Sequence, residues 1–224
     1  MTAAVVVPWR GGCEHRERAL AWVTERWAAD GFDVVVGEHA DGPWCKALAV
    51  ADALARTDAD TLIVADADVW PIGGMSEALA HLGPHRWVIP HMYVHRLSER
   101  GSTEFMAGAP LSGREFADRQ GQDSRPHRGT AGGGIVALTR ADYQRAPLDP
   151  RFRGWGQEDI SWSMALKAIL GVPWRGDAPL AHLWHPPQER KNRQVGNGDN
   201  FRLHDRYRRA RTRERMVALI EEAR

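Results

Sequence analysis

Three apolar, β-branched runs constrain this chain more than anything else in it: Ala3–Trp9, Phe32–Val36 and Thr61–Ala65. The first is continuous rather than alternating, the mark of a strand covered on both faces. Between the first two lies Glu14–Ala29, with Leu20, Val23 and Trp27 at helical spacing and charges on the other side. Between the second and third, Trp44–Leu54 reads as a helix with Leu48 and Ala51 facing in. Strands and helices alternating through short connections predict a parallel sheet flanked by helices. The third run continues as TLIVADADVW to Trp70, placing two carboxylates, Asp66 and Asp68, at its end. Pro71 is expected to stop further pairing.

Burying unpaired carboxylates is costly, so a buried strand that finishes in acids needs an open edge and a counter-charge. In an open α/β sheet the carboxyl ends of the strands are where ligands bind. Two carboxylates there most simply hold a divalent cation, and the cation most simply holds phosphate oxygens. The competing reading is local: Asp-Ala-Asp as a turn or helix cap, since Asp is favoured in turns for local hydrogen bonding. Three residues alone do not separate the two.

The chain has 224 residues, which suits one domain with a full core. A formal net charge of +1 gives no global field towards nucleic acid or membrane. No apolar run approaches the length of a membrane span, and MTAAVVVPWR reads as a first strand rather than a signal peptide. The two cysteines, Cys13 and Cys45, argue for a reducing compartment, expected to be the cytoplasm, and against a disulfide framework.

Met75–Leu82 reads as a short helix and Trp87–Pro90 as a short strand. His91–Arg128 is long, polar and rich in Gly, Ser, Arg and His, a composition expected of a functional or disordered loop. Order returns at Thr130–Leu138, where Gly132, Gly133 and Gly134 open a strand and imply close backbone approach by a ligand. Gly154–Asp159 is a turn opening a helix over Ile160–Leu170, and Pro179–His185 reads as a last strand. Phe201–Ala223 reads as one amphipathic helix, with Phe201, Tyr207, Ala210, Val217 and Ile220 apolar. The expected division is a domain over 1–192 and a basic helical extension over 193–224 packed on it.

Two further clusters could carry chemistry. In GWGQED, Glu158 and Asp159 occupy the first turn of a helix, where acids are favoured by the dipole. Dipole capping does not explain the Trp between two glycines. An aromatic face beside carboxylates suits a sugar, and a carboxylate bound to a hydroxyl is also a general base. In HLWH, His182 and His185 would point to opposite faces of an ideal strand. They converge only if the strand ends or bends between them, as Pro186 and Pro187 make plausible. With Asp66 and Asp68 they favour a metal, and mixed imidazole and carboxylate ligation suits Mn²⁺ better than Mg²⁺.

Four pieces in order, VVVPWR, ADADVW, GWGQED and HLWH, resemble the GT-A glycosyltransferases. The likeness is nearest to the β-1,4-galactosyltransferase branch and its bacterial and polymerase relatives, in which GWGxED is distinctive. It runs over Val5–Asn192. It implies a single GT-A, Rossmann-like α/β domain with a mostly parallel sheet and a C-terminal helical extension. It also implies a UDP-sugar donor, an Mn²⁺ (or Mg²⁺) cofactor, and a glycan, protein or modified nucleic acid as acceptor. By resemblance, Pro8, Trp9 and Arg10 line the nucleotide pocket, Glu38 lies near uracil or ribose, and Lys46 near the nucleotide. Asp66 contacts ribose and metal, Asp68 and His185 ligate the metal, and His182 stands where some relatives place a second ligand. Gly133 and Gly134 flank the donor sugar, Trp155 stacks at the donor–acceptor junction, Asp159 is the base and Glu158 orients sugar. The chain departs from many relatives after Asp159, where Ile160 and Ser161 stand in place of further acids.

The mechanism implied is one in-line displacement with inversion. His91–Arg128 is then expected to be an acceptor-side loop, partly mobile until donor binds. Two rivals remain in view. Phe201–Arg215 carries seven arginines against Asp205 and Glu214, a basic patch that could bind nucleic acid or recruit an anionic acceptor such as modified DNA. A nucleotidyltransferase would share the metal and nucleotide. Its Gly-rich loop is only faintly echoed by Arg10-Gly11-Gly12 with Arg16, and it leaves GWGQED without a role.

Overall fold

The computed structural model describes residues 2–111, 132–186 and 198–223. The opening elements are β1 (Ala3–Trp9), α1 (Glu14–Ala29), β2 (Asp33–Glu38), α2 (Lys46–Leu54) and β3 (Thr61–Ala65). Next come β4 (Val69–Pro71), α3 (Met75–Ala80), β5 (Trp87–Arg96), α4 (Glu99–Met106), β6 (Ile135–Thr139) and α5 (Arg140–Arg145). The last are α6 (Glu158–Leu170), β7 (Trp174–His182), α7 (Gly198–Arg209) and α8 (Arg213–Glu221).

One sheet orders the strands β2-β1-β3-β6-β5-β7-β4. β1 pairs in parallel with β2 and β3, and β5 with β7, whereas β6 and β4 are antiparallel to their neighbours. Five strands therefore run one way and β6 and β4 the other. The continuous apolar runs fill both faces by simple alternation. Val5, Val7, Ile63 and Ala65 pack with Val23 and Trp27 of α1. Val6, Leu62 and Val64 pack with α2, α6 and the two C-terminal helices. At Gly37 an added Cβ would lie 1.9 Å from the Ala49 carbonyl oxygen, so α2 can sit this close to β2 only over a glycine.

Several sequence expectations are corrected. Ala51 of α2 is exposed and Leu48 only half-buried; Lys46, Ala49, Val50 and Ala53 form the buried stripe. Pro71 is itself paired, as the last residue of a strand that follows Asp68. β4 continues the chain after Asp68 and pairs with β7, Pro71 opposite Leu180. Proline is tolerated because β4 is the outer strand of the sheet. Trp70 anchors that edge against Trp27 and Trp22, with ring centroids 4.9 and 5.7 Å apart.

Trp87–Pro90 is the start of a strand that runs on to Arg96, so His91–Arg96 is not loop. The register with β7 is irregular around His91, which accommodates Pro90. Glu99–Met106 is helical, capped by the Ser98 hydroxyl accepting from the Gly101 N–H at 2.9 Å. Residues 112–128 of the expected acceptor-side loop, and Pro187, lie outside the described residues. The last strand spans Trp174–His182, ending before His185.

Phe201–Ala223 is two helices, not one. Leu203, Tyr207 and Ala210 are buried on α7, and Met216, Leu219 and Ile220 on α8. One continuous helix would carry Glu214 into the apolar stripe seven residues after Tyr207. The chain instead breaks at Arg211, and the Thr212 hydroxyl caps α8 by accepting from the Arg215 N–H. Both helices pack on the α2–α6 face of the sheet. No helix among the described residues is long and apolar enough to cross a membrane.

Candidate active site

Two charged clusters lie along the carboxyl edge of the central strands. The first is built around Lys46, at the start of α2. Its ammonium lies 2.6 Å from Asp66 Oδ1, just past β3, and 2.8 Å from Asp159 Oδ1, in the first turn of α6. The lysine is 9% exposed, so this is a nearly buried cation shared by two carboxylates. Burial opposes its charge, but Asp159 and Asp66 outweigh burial and hold its pKa above the ordinary lysine value. Asp66 is pushed up by burial, and the Asp159 and Asp68 charges add to that against the attraction of Lys46.

GWGQED approaches this cluster on a turn of unusual backbone. Gly154, Gly156 and Gln157 have φ of 73°, 112° and 73°, and Gln157 is the only non-glycine at positive φ among the described residues. The turn projects Trp155 outward, 54% exposed, and folds Glu158 back so that one carboxylate oxygen accepts from the Gly156 N–H at 2.8 Å. Burial, then the neighbouring Asp159 charge, raises the Glu158 pKa to about 7. Asp159 Oδ2 points towards the exposed Gly133, 3.8 Å from where a Cβ would stand. Ser163 ties the glycine run to α6, accepting from the Gly132 N–H and donating to the Asp159 carbonyl. Gly134, at φ 91°, accepts from the Asp66 N–H at 2.9 Å.

The second cluster brings Asp68, His182 and His185 together, with one ligand atom from each within 4.8 Å of the others. Pairing explains the convergence. Val69 of β4 stands opposite His182 of β7, and the Leu183 N–H donates to the Asp68 carbonyl at 2.8 Å. β7 ends at His182, so the turn returns the His185 ring to the same side, 5.4 Å from that of His182. Trp184 is pinned between them by its N–H donating to the buried Ser102 hydroxyl of α4.

His182 Nδ1 lies 3.0 Å from the Leu183 carbonyl oxygen, and His185 Nδ1 lies 2.9 Å from that of Pro186. A carbonyl only accepts, so in the neutral rings Nδ1 carries the proton and Nε2 the lone pair. Both lone pairs face Asp68, at 4.0 Å from Oδ1 for His182 and 3.4 Å from Oδ2 for His185. Burial opposes the Asp68 charge, but His182 when protonated, Arg16, and His185 when protonated outweigh it and lower its pKa. Burial keeps His185 below the ordinary histidine value. A carboxylate and two inward imidazole lone pairs fit a divalent transition cation, with the backbone carbonyls fixing the ring tautomers.

Other expected site residues fall nearby or elsewhere. Arg10 is committed to the loop after β2, donating to the Ala40 and Gly42 carbonyls. Pro8 and Trp9 share β1 but face opposite sides, and Trp9 packs under α1. Glu38 is exposed at the end of β2, its N–H donating to Asp52. Two residues join the site without a sequence reading that assigned them there. Arg16 of α1 reaches Asp68 and His185. Asn200 of α7, 1% exposed, accepts from the Arg153 N–H at 3.1 Å and donates to the Gly156 carbonyl at 2.9 Å. The C-terminal basic stretch spends several charges locally: Arg202, Arg206 and Arg208 pair with Asp199, Glu222 and Asp205.

No family model and no curated protein matches this chain. Solved structures do. The catalytic domain of Drosophila β-1,4-galactosyltransferase 7, in complex with xylobiose, superposes with a TM-score of 0.51 at 16% identity, covering 86% of this chain and 72% of that one. Glucosyl-3-phosphoglycerate synthase from Mycobacterium tuberculosis, with Mn²⁺, UDP-glucose and phosphoglyceric acid, gives 0.53 at 16% identity over 94% and 79%. GalNAc-T7, with UDP, GalNAc and Mn²⁺, gives 0.54 at 14% identity over 94% and 48%. These neighbours are GT-A fold glycosyltransferases, and this chain shares their fold.

Proposed function

We propose that the protein is a metal-dependent, inverting glycosyltransferase that moves a hexose from a UDP-sugar to an acceptor hydroxyl. The observation that carries this reading is the pairing of the two clusters on one sheet edge: a ligand set at Asp68, His182 and His185 beside carboxylates at Asp159 and Glu158. The solved neighbours support it, since two of them hold Mn²⁺ with UDP or UDP-glucose.

Asp68, His185 and His182 would hold the cation. When bound, it would offset the negative charge that develops on the departing nucleoside diphosphate. The protein's own groups supply the rest. Lys46 fixes Asp159 through Oδ1, leaving Oδ2 directed towards Gly133. In this reading Gly133 and Gly134 border the donor sugar, and Asp159 Oδ2 accepts the acceptor hydroxyl's proton as its oxygen attacks the anomeric carbon. Attack opposite the leaving group inverts that carbon, which is oxocarbenium-like in the transition state. Glu158, with a pKa near 7, can both donate to and accept from sugar hydroxyls. Trp155 offers an exposed aromatic face for the sugar C–H surface. Asp66 and the β1–β2 edge take the nucleoside side.

The test is release of UDP from a panel of UDP-sugars with Mn²⁺, followed by NMR of the product's anomeric configuration. Metal-dependent release, lost in Asp159→Asn, with an inverted anomer supports the proposal. Retention of configuration, or release that survives Asp159→Asn, removes it.

A further inference from the structure

Arg16 stands where a cation ligand site would be expected to stay clear. Its Nη2 lies 3.3 Å from His185 Nε2. Its Nε lies 3.8 Å from Asp68 Oδ2. With His185 Nδ1 directed at the Pro186 carbonyl, Nε2 is the acceptor, so the guanidinium donates into the same lone pair that would ligate a metal. Arg16 and a divalent cation therefore compete for the same atoms.

The placement is not explained by helix stability. Arg16 is in the first turn of α1, beside Glu14 and Glu17. A cation at a helix N-terminus works against the macrodipole, whereas the two glutamates work with it. A side chain that breaks the local rule and points at a ligand set is expected to serve that set. Its reach is also loose: neither contact is at ion-pair hydrogen-bond length, and a quarter of the side chain is exposed. Lys46, by contrast, is locked at 2.6 and 2.8 Å.

We propose that Arg16 is the resident counter-ion of the Asp68–His182–His185 cluster, displaced when a divalent cation enters and then available to the diphosphate of the nucleotide. The proposal rests on the metal-site reading above. Before metal binds, Arg16 offsets the buried Asp68 charge. A dication at the cluster repels the guanidinium, which carries no geometry that ties it elsewhere on α1. The phosphate that the metal brings is then an anion within its reach, and a planar guanidinium suits phosphate oxygens.

The experiment measures two affinities in wild type, Arg16→Gln, Arg16→Lys and Asp68→Ala. Free Mn²⁺ is counted by electron paramagnetic resonance without nucleotide, and UDP binding is titrated calorimetrically at saturating Mn²⁺. Removing a partly exposed competing ion pair should tighten Mn²⁺ alone by about threefold in Arg16→Gln. Loss of a charged phosphate contact should weaken UDP roughly tenfold. Arg16→Lys, which keeps the charge, should remain near wild type for Mn²⁺ and lose less UDP affinity. Unchanged or weaker Mn²⁺ binding in Arg16→Gln, while Asp68→Ala abolishes it, overturns the Arg16 proposal and leaves the metal site intact. Mn²⁺ binding that Asp68→Ala does not affect overturns the metal site, and this proposal with it.

Discussion

The two charged clusters meet the same electrostatic problem in opposite ways. Asp66 and Asp159 are neutralised by a cation that belongs to the chain, Lys46, at 2.6 and 2.8 Å. Asp68 faces imidazole nitrogens and a guanidinium at 3.4 to 4.0 Å, with lone pairs turned inward. Contacts at hydrogen-bond length in a nearly buried site are permanent, and they hold a carboxylate in one pose. Looser contacts among acceptors leave room for an exchangeable cation. In the proposed reading the permanent cluster positions the base and the exchangeable one takes the cofactor.

The sharpest way to break that division is Asp159→Asn. Transfer should fall by about 10² to 10⁴-fold, the usual worth of a general base, while Mn²⁺ affinity stays unchanged. Equal losses in transfer and metal binding would mean that the clusters act as one. Lys46→Met should come next. It leaves Asp66 and Asp159 without their shared partner and should cost about 3 to 5 kcal/mol in urea unfolding. Because burial and neighbouring carboxylates already raise the Asp66 pKa, that cost should be largest at pH 8 and shrink as pH falls and a carboxylate protonates.

Asn200→Ala tests how the permanent half is held. It removes one hydrogen bond to the Gly156 carbonyl inside the Gly154–Asp159 turn and one from the Arg153 N–H just before it, together worth about 1 to 3 kcal/mol. The expected signature is a lower kcat with unchanged Mn²⁺ affinity; an unaltered kcat would show that the turn keeps its shape without α7. Glu158→Gln should have the smallest effect. The Glu158 pKa is raised from 4.5 to about 7, so the folded state binds more protons than the unfolded one between those values. Wild-type stability from this group is therefore present below pH 4.5 and lost as pH rises through 7. Glu158→Gln should be more stable than wild type at pH 8 by on the order of 1 to 2 kcal/mol, with the gain vanishing near pH 4. A pH-independent difference would place the carboxylate in water.

These features differ in how legible they are in the sequence. The first three strands and α1 follow from continuous β-branched runs and a helical stripe, signals that sit within one segment. Asp66, Asp68, GWGQED and HLWH stand out because acids, glycines and histidines at element ends have few structural reasons to be there. β4 is hidden because Pro71 reads as a stop unless the strand is known to be at the sheet edge. The second half of β5 is hidden because Pro90 and His91 break the apolar pattern that its pairing with β7 preserves. Asn200 carries no local signal, and Arg16 only the faint echo of a basic residue after a Gly-rich loop. Arg16 is a charged residue on a charged helix and Asn200 a polar residue between Asp199 and Phe201, and only packing between distant segments gives them a task.

The most direct test of the division between a permanent and an exchangeable cluster is calorimetric titration of UDP into wild type and Asp68→Ala, each with and without Mn²⁺. Expected in wild type is UDP binding that requires Mn²⁺, and in Asp68→Ala weak binding that Mn²⁺ does not improve. Metal-independent UDP binding in wild type, or full metal dependence in Asp68→Ala, would contradict the assignment of Asp68, His182 and His185 as the place where the cofactor enters.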